Sequence, residues 1–373
     1  MKLKIPGLSR SEPAEAPPPA IGVAGTDSPT EGVILPALNH LQNLGRVRLA
    51  GLWEPVPARR EAAGDALGIP SENRFSELEE LLLAGGSSGR KGPEALLVAG
   101  PLEGRFETIQ KALIKNTHVL SDAPLAPTAA EAESLVEAAA SAGAHVGVIH
   151  GGRYCAINAE ALGAVRQRKI GEIFFVRIER PRPKNRSQDA TPDELLSELY
   201  PDIYLARAWA DSPVTSVYAR AESRRSRKGA GGLALLHFQH AGGGSSTLHL
   251  TDTVGPLSEA YEIHGEEGSI RLDSNENAWF LCRREEGADG ARWERNLPRP
   301  VTLHGGATME GPVPETAVQH YARALDDAFA SFARGLPAPV DGREAWLNLR
   351  VLDTARESAR TGEVIRVDIP IPR

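Results

Sequence analysis

Cysteine is nearly absent: the 373 residues contain two, Cys155 and Cys282. Neither has a Cys or His partner at metal-ligand spacing, so a zinc ribbon, an iron–sulfur site or a disulfide framework is excluded as the basis of the fold. A reducing cytoplasm is the expected compartment. Long apolar runs are also missing, and no stretch approaches the length needed to cross a bilayer as a helix. Met1 to Ala20 lacks the apolar core of a signal peptide, so no export is expected. No strong basic excess exists either: 49 acidic residues against 42 basic ones leave a net charge of -7. That balance gives no general attraction for nucleic acid or for an anionic membrane. The basic clusters Arg177–Arg186 and Arg224–Lys228 sit among Pro, Ser and Gly beside strand-like runs, and read as solvated loop ends.

What is present is the make-up of a soluble globular chain, 41% hydrophobic and 24% charged, long enough for two domains. Residues 1–19 are Pro- and Glu-rich towards their end and read as an extended lead-in. From Ala20 to His150, short apolar runs alternate with amphipathic ones. Ile21–Gly25, Val47–Trp53, Ala95–Ala99, His118–Ser121 and His145–Ile149 are strand-like. Val33–Leu44, Arg59–Leu67, Glu77–Leu83, Phe106–Ile114 and a helix from the Thr128 cap to Ala142 separate them, with a glycine-rich loop over Gly85–Gly92. Strands alternating with helices of this length require crossovers and a parallel sheet, so 20–150 is expected to be a doubly wound α/β (Rossmann) domain.

After Gly171 the rhythm changes. Ile173–Ile178, Val214–Ala221, Leu233–Gln239, Ser245–Thr251, Glu259–His264 and Ser269–Leu272 follow one another with short turns, broken by one helix over Asp193–Trp209. Residues 151–373 are therefore expected to form an α+β domain on an open, mainly antiparallel sheet. Amphipathic helices over Gln319–Arg334 and Gly342–Thr361 close the chain, and residues 319–361 are expected to pack back on the first domain.

Four stretches carry a family likeness: Ile21–Thr26 with Leu35–Leu38; His118–Ala126 with Ala129–Leu135; Gly152–Tyr154 through Ile173; and Tyr321–Phe329 with Gly335–Pro337 and Asp353–Gly362. In order and spread over nearly the whole chain, they resemble the glucose–fructose oxidoreductase / inositol dehydrogenase (Gfo/Idh/MocA) family. The resemblance implies an NAD(P)-dependent oxidoreductase acting on a sugar or polyol-like small molecule, and a homo-oligomer paired through its second sheet.

On that footing, Gly25 opens the turn that would meet a pyrophosphate, with Thr26 beside it and Gly32 at the start of the next helix. Asp27 stands where glycine is expected. Glu54 ends the second strand, where an acid accepts from ribose hydroxyls, so NAD is favoured over NADP; Arg59 and Arg60 keep the phosphorylated cofactor open. Gly100 and Pro101 form the turn after the Ala95–Ala99 strand, followed by Arg105 where the family tends to have histidine. Asp122-Ala123-Pro124 occupies the place of the family's Glu-Lys-Pro turn, so the expected amine is a methyl group. The family's base histidine aligns with Pro201, and its aspartate with Ser197. Substitutes are His150 and Tyr154 near the domain join and Glu198, Asp202 and Tyr204 on the following helix, with Asp122 as a further carboxylate; Arg153 reads as a ligand contact or a packing residue. A metal site built from His237, His240 and His249 is not expected. The alternative reading is a catalytically silent homologue, with or without bound dinucleotide, that serves as a ligand-binding or protein-partner scaffold.

Overall fold

The computed structural model describes residues 17–26, 31–84, 92–183, 190–226, 229–253, 259–284, 291–298 and 317–368. Most of the lead-in, Asp27 and almost all of the glycine-rich loop lie outside them. The first sheet is built from β1 (Ala20–Ala24), β2 (Arg48–Trp53), β3 (Arg74–Phe75), β4 (Ala95–Val98), β5 (His118–Asp122) and β6 (Val146–Ile149). Their order is β3-β2-β1-β4-β5-β6, and every pairing is parallel. Every residue of β1, β4 and β6 is buried, as a sheet covered on both faces requires. The intervening helices are α1 (Glu31–Asn43), α2 (Pro57–Ala66), α3 (Leu78–Leu81), α4 (Arg105–Ile114) and α5 (Ala129–Ala142). Thr128 caps α5 through a reciprocal box with Glu131, and Gly143 ends it in the left-handed region.

After a short turn of helix over Gly151–Tyr154, α6 (Ala156–Arg166) leads into the second sheet, a helix that the sequence rhythm did not single out. That sheet has nine strands: β7 (Ile173–Pro183), β8 (Val214–Ser226), β9 (Gly229–His240), β10 (Ser245–Thr253), β11 (Ala260–Gly265), β12 (Gly268–Asp273), β13 (Ala278–Arg284), β14 (Ala291–Asn296) and β15 (Ile365–Arg366). All neighbours are antiparallel except β7 and β10. The expected single helix over Asp193–Trp209 is two, α7 (Pro192–Ser197) and α8 (Tyr200–Ala210). The cause is Pro201 in the first turn of α8: it has no N–H to continue the preceding ladder and is tolerated only where a helix begins.

The last two helices, α9 (Ala317–Phe332) and α10 (Gly342–Thr361), return to the first domain. Helix α9 lies against α1, and α10 against α5 and β8. Leu325, Phe329 and Phe332 of α9 complete one face of the parallel sheet with Ile21, Val23, Leu97 and Leu120, and the opposite face is continuous with the core of the second domain. Both domains therefore share one body of buried apolar side chains, which holds the ends of β5 and β6 against α7 and α8. The other face of the second sheet stays open. Tyr218, His237, Thr247, Arg177, Glu262, Arg271 and Phe280 run across it in register. The Arg271 guanidinium stands 4.6 Å from the Phe280 ring centroid on that face.

Candidate active site

The strand order reverses between β1 and β4, and in open α/β sheets that crevice, outside the carboxyl ends of the strands, is where ligands bind. The ends of β1 and β4 meet there with almost no separation. A Cβ on Gly25, whose φ is +74°, would stand 2.5 Å from the Gly100 Cα, so the turn after β1 must be glycine, whereas a Cβ on Gly100 would meet only ordinary contacts, the nearest at 3.5 Å. Gly32 lies in the first turn of α1 and is exposed, with open space where a side chain would stand. Pro101 follows Gly100 on the exposed rim.

Glu54 is not the solvated carboxylate that its position beside Pro55 allowed. It is buried and accepts four hydrogen bonds: from Thr26 N at 3.1 Å, Thr26 Oγ1 at 3.0 Å, Val56 N at 3.0 Å and Arg59 Nε at 3.2 Å. The Arg60 guanidinium donates to its backbone oxygen at 2.8 Å. Glu54 thus ties the end of β1 to the start of α2.

One strand further along the same edge, β5 and β6 deliver Asp122, Ala123, Pro124 and His150 to a cavity of about 520 Å³, which α7 and α8 close from the other side with Glu194, Glu198, Tyr200, Pro201 and Tyr204. Of the expected catalytic residues, Asp122, His150, Glu198 and Tyr204 come together here, with Pro124 from the expected cofactor set. Tyr200, Glu194 and Tyr321 join them without having been singled out; aromatic and acidic residues on amphipathic helices carry no local mark of the cavity they face. Among the described residues that line the cavity, none is a lysine.

The aromatic side is tightly built. The His150 ring stacks on Tyr204 with centroids 4.3 Å apart and on Tyr200 at 5.4 Å. Arg153 donates to the Tyr204 hydroxyl at 2.6 Å. Burial, then the cations Arg207 and Arg153, push the His150 imidazole down to about 3, so it is neutral at any working pH. Its Nε2 is buried without a hydrogen-bond partner among the described residues. Burial raises the Tyr204 hydroxyl above the ordinary phenol range, with Arg153 opposing the shift.

Beneath the Asp122–Pro124 turn lies Arg105, which is buried and donates to three carbonyls: Asp122 O at 2.8 Å, Pro124 O at 2.6 Å and Gly100 O at 2.7 Å. The cation in this part of the site is thus a guanidinium holding two strand ends together, set behind the Ala123 methyl group. The Asp122 carboxylate accepts from Ala123 N at 2.9 Å, which fixes the turn.

Two expected catalytic residues are placed elsewhere. Tyr154 does not line the cavity; its ring packs with the cluster that includes α9, and burial and the nearby Asp327 raise its hydroxyl above the usual range. Asp202 turns from the cavity towards the second sheet, where Arg180 Nε is 3.3 Å away. The helical period decides this: Glu198 and Tyr204 face the cleft, whereas Asp202, four residues after Glu198 but beyond the helix break, does not.

Burial raises the Asp202 carboxyl to about 6; Arg180 opposes the shift and Glu259 adds to it. Because the folded value lies above the usual carboxylate value of about 3.9, the stability contributed is full below that value and is lost as pH rises through about 6. The difference corresponds to on the order of 2–3 kcal/mol. Asp202→Asn should therefore gain thermal stability relative to the parent chain as pH increases from 4 to 7. Melting curves of the two proteins that stay parallel across that range would refute the assignment.

The three histidines of the second sheet do not converge. His240 is buried, bonded to Ser246 Oγ at 2.7 Å and Ser212 O at 3.1 Å, whereas His237 sits on the opposite face with Gln239 Nε2 at 3.0 Å. Among the described residues, no group of three His, Cys, Asp or Glu could hold a metal ion, and no helix is long and apolar enough to cross a membrane.

A parallel sheet in the order 3-2-1-4-5-6, a bare glycine turn at the switch point and a cleft roofed by a second, antiparallel domain define a two-domain protein of the dinucleotide-binding type. Residues 20–150 match the oxidoreductase family with an NAD-binding Rossmann fold, and residues 163–369 match that family's C-terminal alpha/beta domain. The chain belongs to the Gfo/Idh/MocA oxidoreductase family.

Solved structures share the fold at low identity. An oxidoreductase domain protein from Kribbella flavida superposes with a TM-score of 0.79 and 19% identity, over 95% of this chain and 100% of that one. Levoglucosan dehydrogenase in complex with NADH and levoglucosan gives 0.77 and 17%, over 93% and 99%. An oxidoreductase from Agrobacterium radiobacter in complex with NAD+, L-tartaric acid and magnesium gives 0.72 and 16%, over 94% and 98%. No curated protein matches in sequence.

Proposed function

We propose that this chain is an NAD(P)-dependent oxidoreductase for a sugar or polyol-like substrate, with NAD favoured, working through an altered set of side chains. The observation that carries this reading is the cavity of about 520 Å³ at the ends of β5 and β6, where carboxylates, a neutral imidazole and a phenol face one space. That mixture suits a polyhydroxylated ligand, which needs several acceptors and donors and an apolar ring surface. Levoglucosan dehydrogenase, of similar fold, is a sugar-type precedent.

The residues present fit a dinucleotide. Gly25 and Gly100 would offer bare backbone for the pyrophosphate beside Pro101, with Thr26 held back by Glu54 through its N–H and its hydroxyl; Gly32 leaves the helix start open, and Glu54 with Arg59 would lie near the adenosine ribose. The bound nicotinamide would supply the hydride chemistry. Pro124 and Asp122, on the cavity wall at the end of β5, would face it. Glu198, which lines the cavity with Asp122 and Glu194, would accept a hydroxyl proton, and His150, held neutral, would not compete for it. Tyr204, fixed by Arg153, orients a substrate oxygen. The chain is proposed to act as a dimer or tetramer through the open sheet face, with light scattering of a monomer at micromolar concentration as the contrary result.

A second reading, a catalytically silent ligand-binding or partner-binding scaffold, is favoured by two particulars. Ala123 contributes no amine, and the four bonds to Glu54 leave a ribose hydroxyl to displace Thr26 or Arg59. Titration of NADH and NADPH by fluorescence, followed by a panel of polyols and sugars, separates the two. Binding with turnover that falls on Tyr204→Phe or Glu198→Gln supports the enzyme; binding without turnover on the whole panel supports the scaffold.

A further inference from the structure

Behind Tyr204, on the side away from the main cavity, lies a second concavity of about 480 Å³ at the C-terminal end of α8, the end of α6 and the start of α10. Four arginines line it, Arg153, Arg166, Arg207 and Arg343, against two carboxylates, Asp211 and Glu344. Such an excess of positive charge is out of character for a chain with net charge -7. Two of the four are committed: Arg207 bonds Glu344 Oε2 at 3.2 Å and Arg153 bonds the Tyr204 hydroxyl. Arg166 and Arg343 are exposed and make no ion pair or hydrogen bond among the described residues.

Like charges gathered around one hollow repel each other, and a concave wall of low dielectric focuses the resulting field. A multiply charged oxyanion relieves both costs, and the planar forks of arginine match its oxygens two at a time. We infer that this concavity is a binding site for a small ligand bearing phosphate or several carboxylates. It is distinct from the cavity between β5, β6 and α8. The two hollows share Arg153 and Tyr204 as their partition, so an occupant that draws on Arg153 acts on the Tyr204 hydroxyl from behind.

The test is thermal unfolding of the full chain with inorganic phosphate, pyrophosphate and citrate, each against sodium chloride at equal ionic strength. At least one should raise the midpoint with a saturating dose response, confirmed by titration calorimetry. Arg166→Ala/Arg343→Ala should weaken the apparent dissociation constant at least tenfold while unfolding, without anion, at the parent's temperature or above, since both side chains are exposed and their repulsion is removed. Arg343→Glu should abolish the effect by reversing one charge. No shift beyond the chloride control overturns the inference. So does a shift that survives both variants, which would assign the anion to the glycine turn after β1.

Discussion

Arg105→Ala is expected to remove about 4 kcal/mol of folding stability, because it strips three buried carbonyls of a charged donor in one step. Gly100 O, Asp122 O and Pro124 O each accept from this guanidinium at 2.6–2.8 Å. The residue is 2% exposed, so bulk solvent does not reach these acceptors in the parent structure. A loss of that size lowers the thermal midpoint by on the order of 10 °C in a domain of this size. Arg105→Lys should recover only part of it, as an ammonium cannot span three acceptors with a planar fork. Denaturant unfolding that shows a loss below about 1 kcal/mol for the alanine variant would mean that the turns after β4 and β5 hold each other without it. The effect should also reach the site, because the same three carbonyls set where Asp122 and Pro124 stand in the cavity wall.

Ala123→Lys should raise the turnover of an accepted polyol about 100-fold, the usual worth of a positioned proton-transfer or charge-stabilising group. The position lines the cavity beside Asp122 and Pro124 and is partly open, so the longer side chain has about 520 Å³ to enter. Its ammonium would find Asp122 and Glu198 as neighbouring carboxylates and no other lysine among the described lining residues. Steady-state rates with NAD and NADP in parent and variant decide the matter. Turnover in the parent that the variant leaves unchanged would show that an amine at this position is irrelevant to this chain. Background rates in both, with dinucleotide bound, would favour the scaffold reading.

Much of the fold was legible from periodicity. The parallel domain shows as short buried apolar runs separated by amphipathic helices; Thr128 with Glu131 and Gly143 mark the ends of α5 without reference to anything distant. The second sheet was legible as strands but not as nine of them. Its outer strand β14, with Arg292 and Arg295, is too polar to announce itself as core, whereas β13 carries an apolar run, Ala278–Cys282, that the strand rhythm did not single out. Helix α6 was hidden in the join between domains, and Pro201, read only as a departure from a family pattern, also breaks the helix that carries it.

The candidate site divides the same way. Asp122, Pro124, His150, Glu198 and Tyr204 could be named because each stands at a strand end or on the covering helices, which are positions that the order of elements dictates. That Asp202 turns to Arg180 and that Tyr154 packs beneath α9 could not be named, because helix phase past a break is not written in spacing.

By itself, the sequence determined the two-domain α/β architecture, the glycine turn at its switch point and the Asp122-Ala123-Pro124 turn after the fifth strand, since patterning and residue identity are local properties of the chain. Only the tertiary structure decided that Glu54 is held by Thr26 and Arg59, that Arg105 serves three carbonyls and that Arg153 meets Tyr204 across 51 residues of chain. Those facts depend on which side chains arrive at one point in space. Long-range packing of the shared core sets that arrival, not the spacing of any motif.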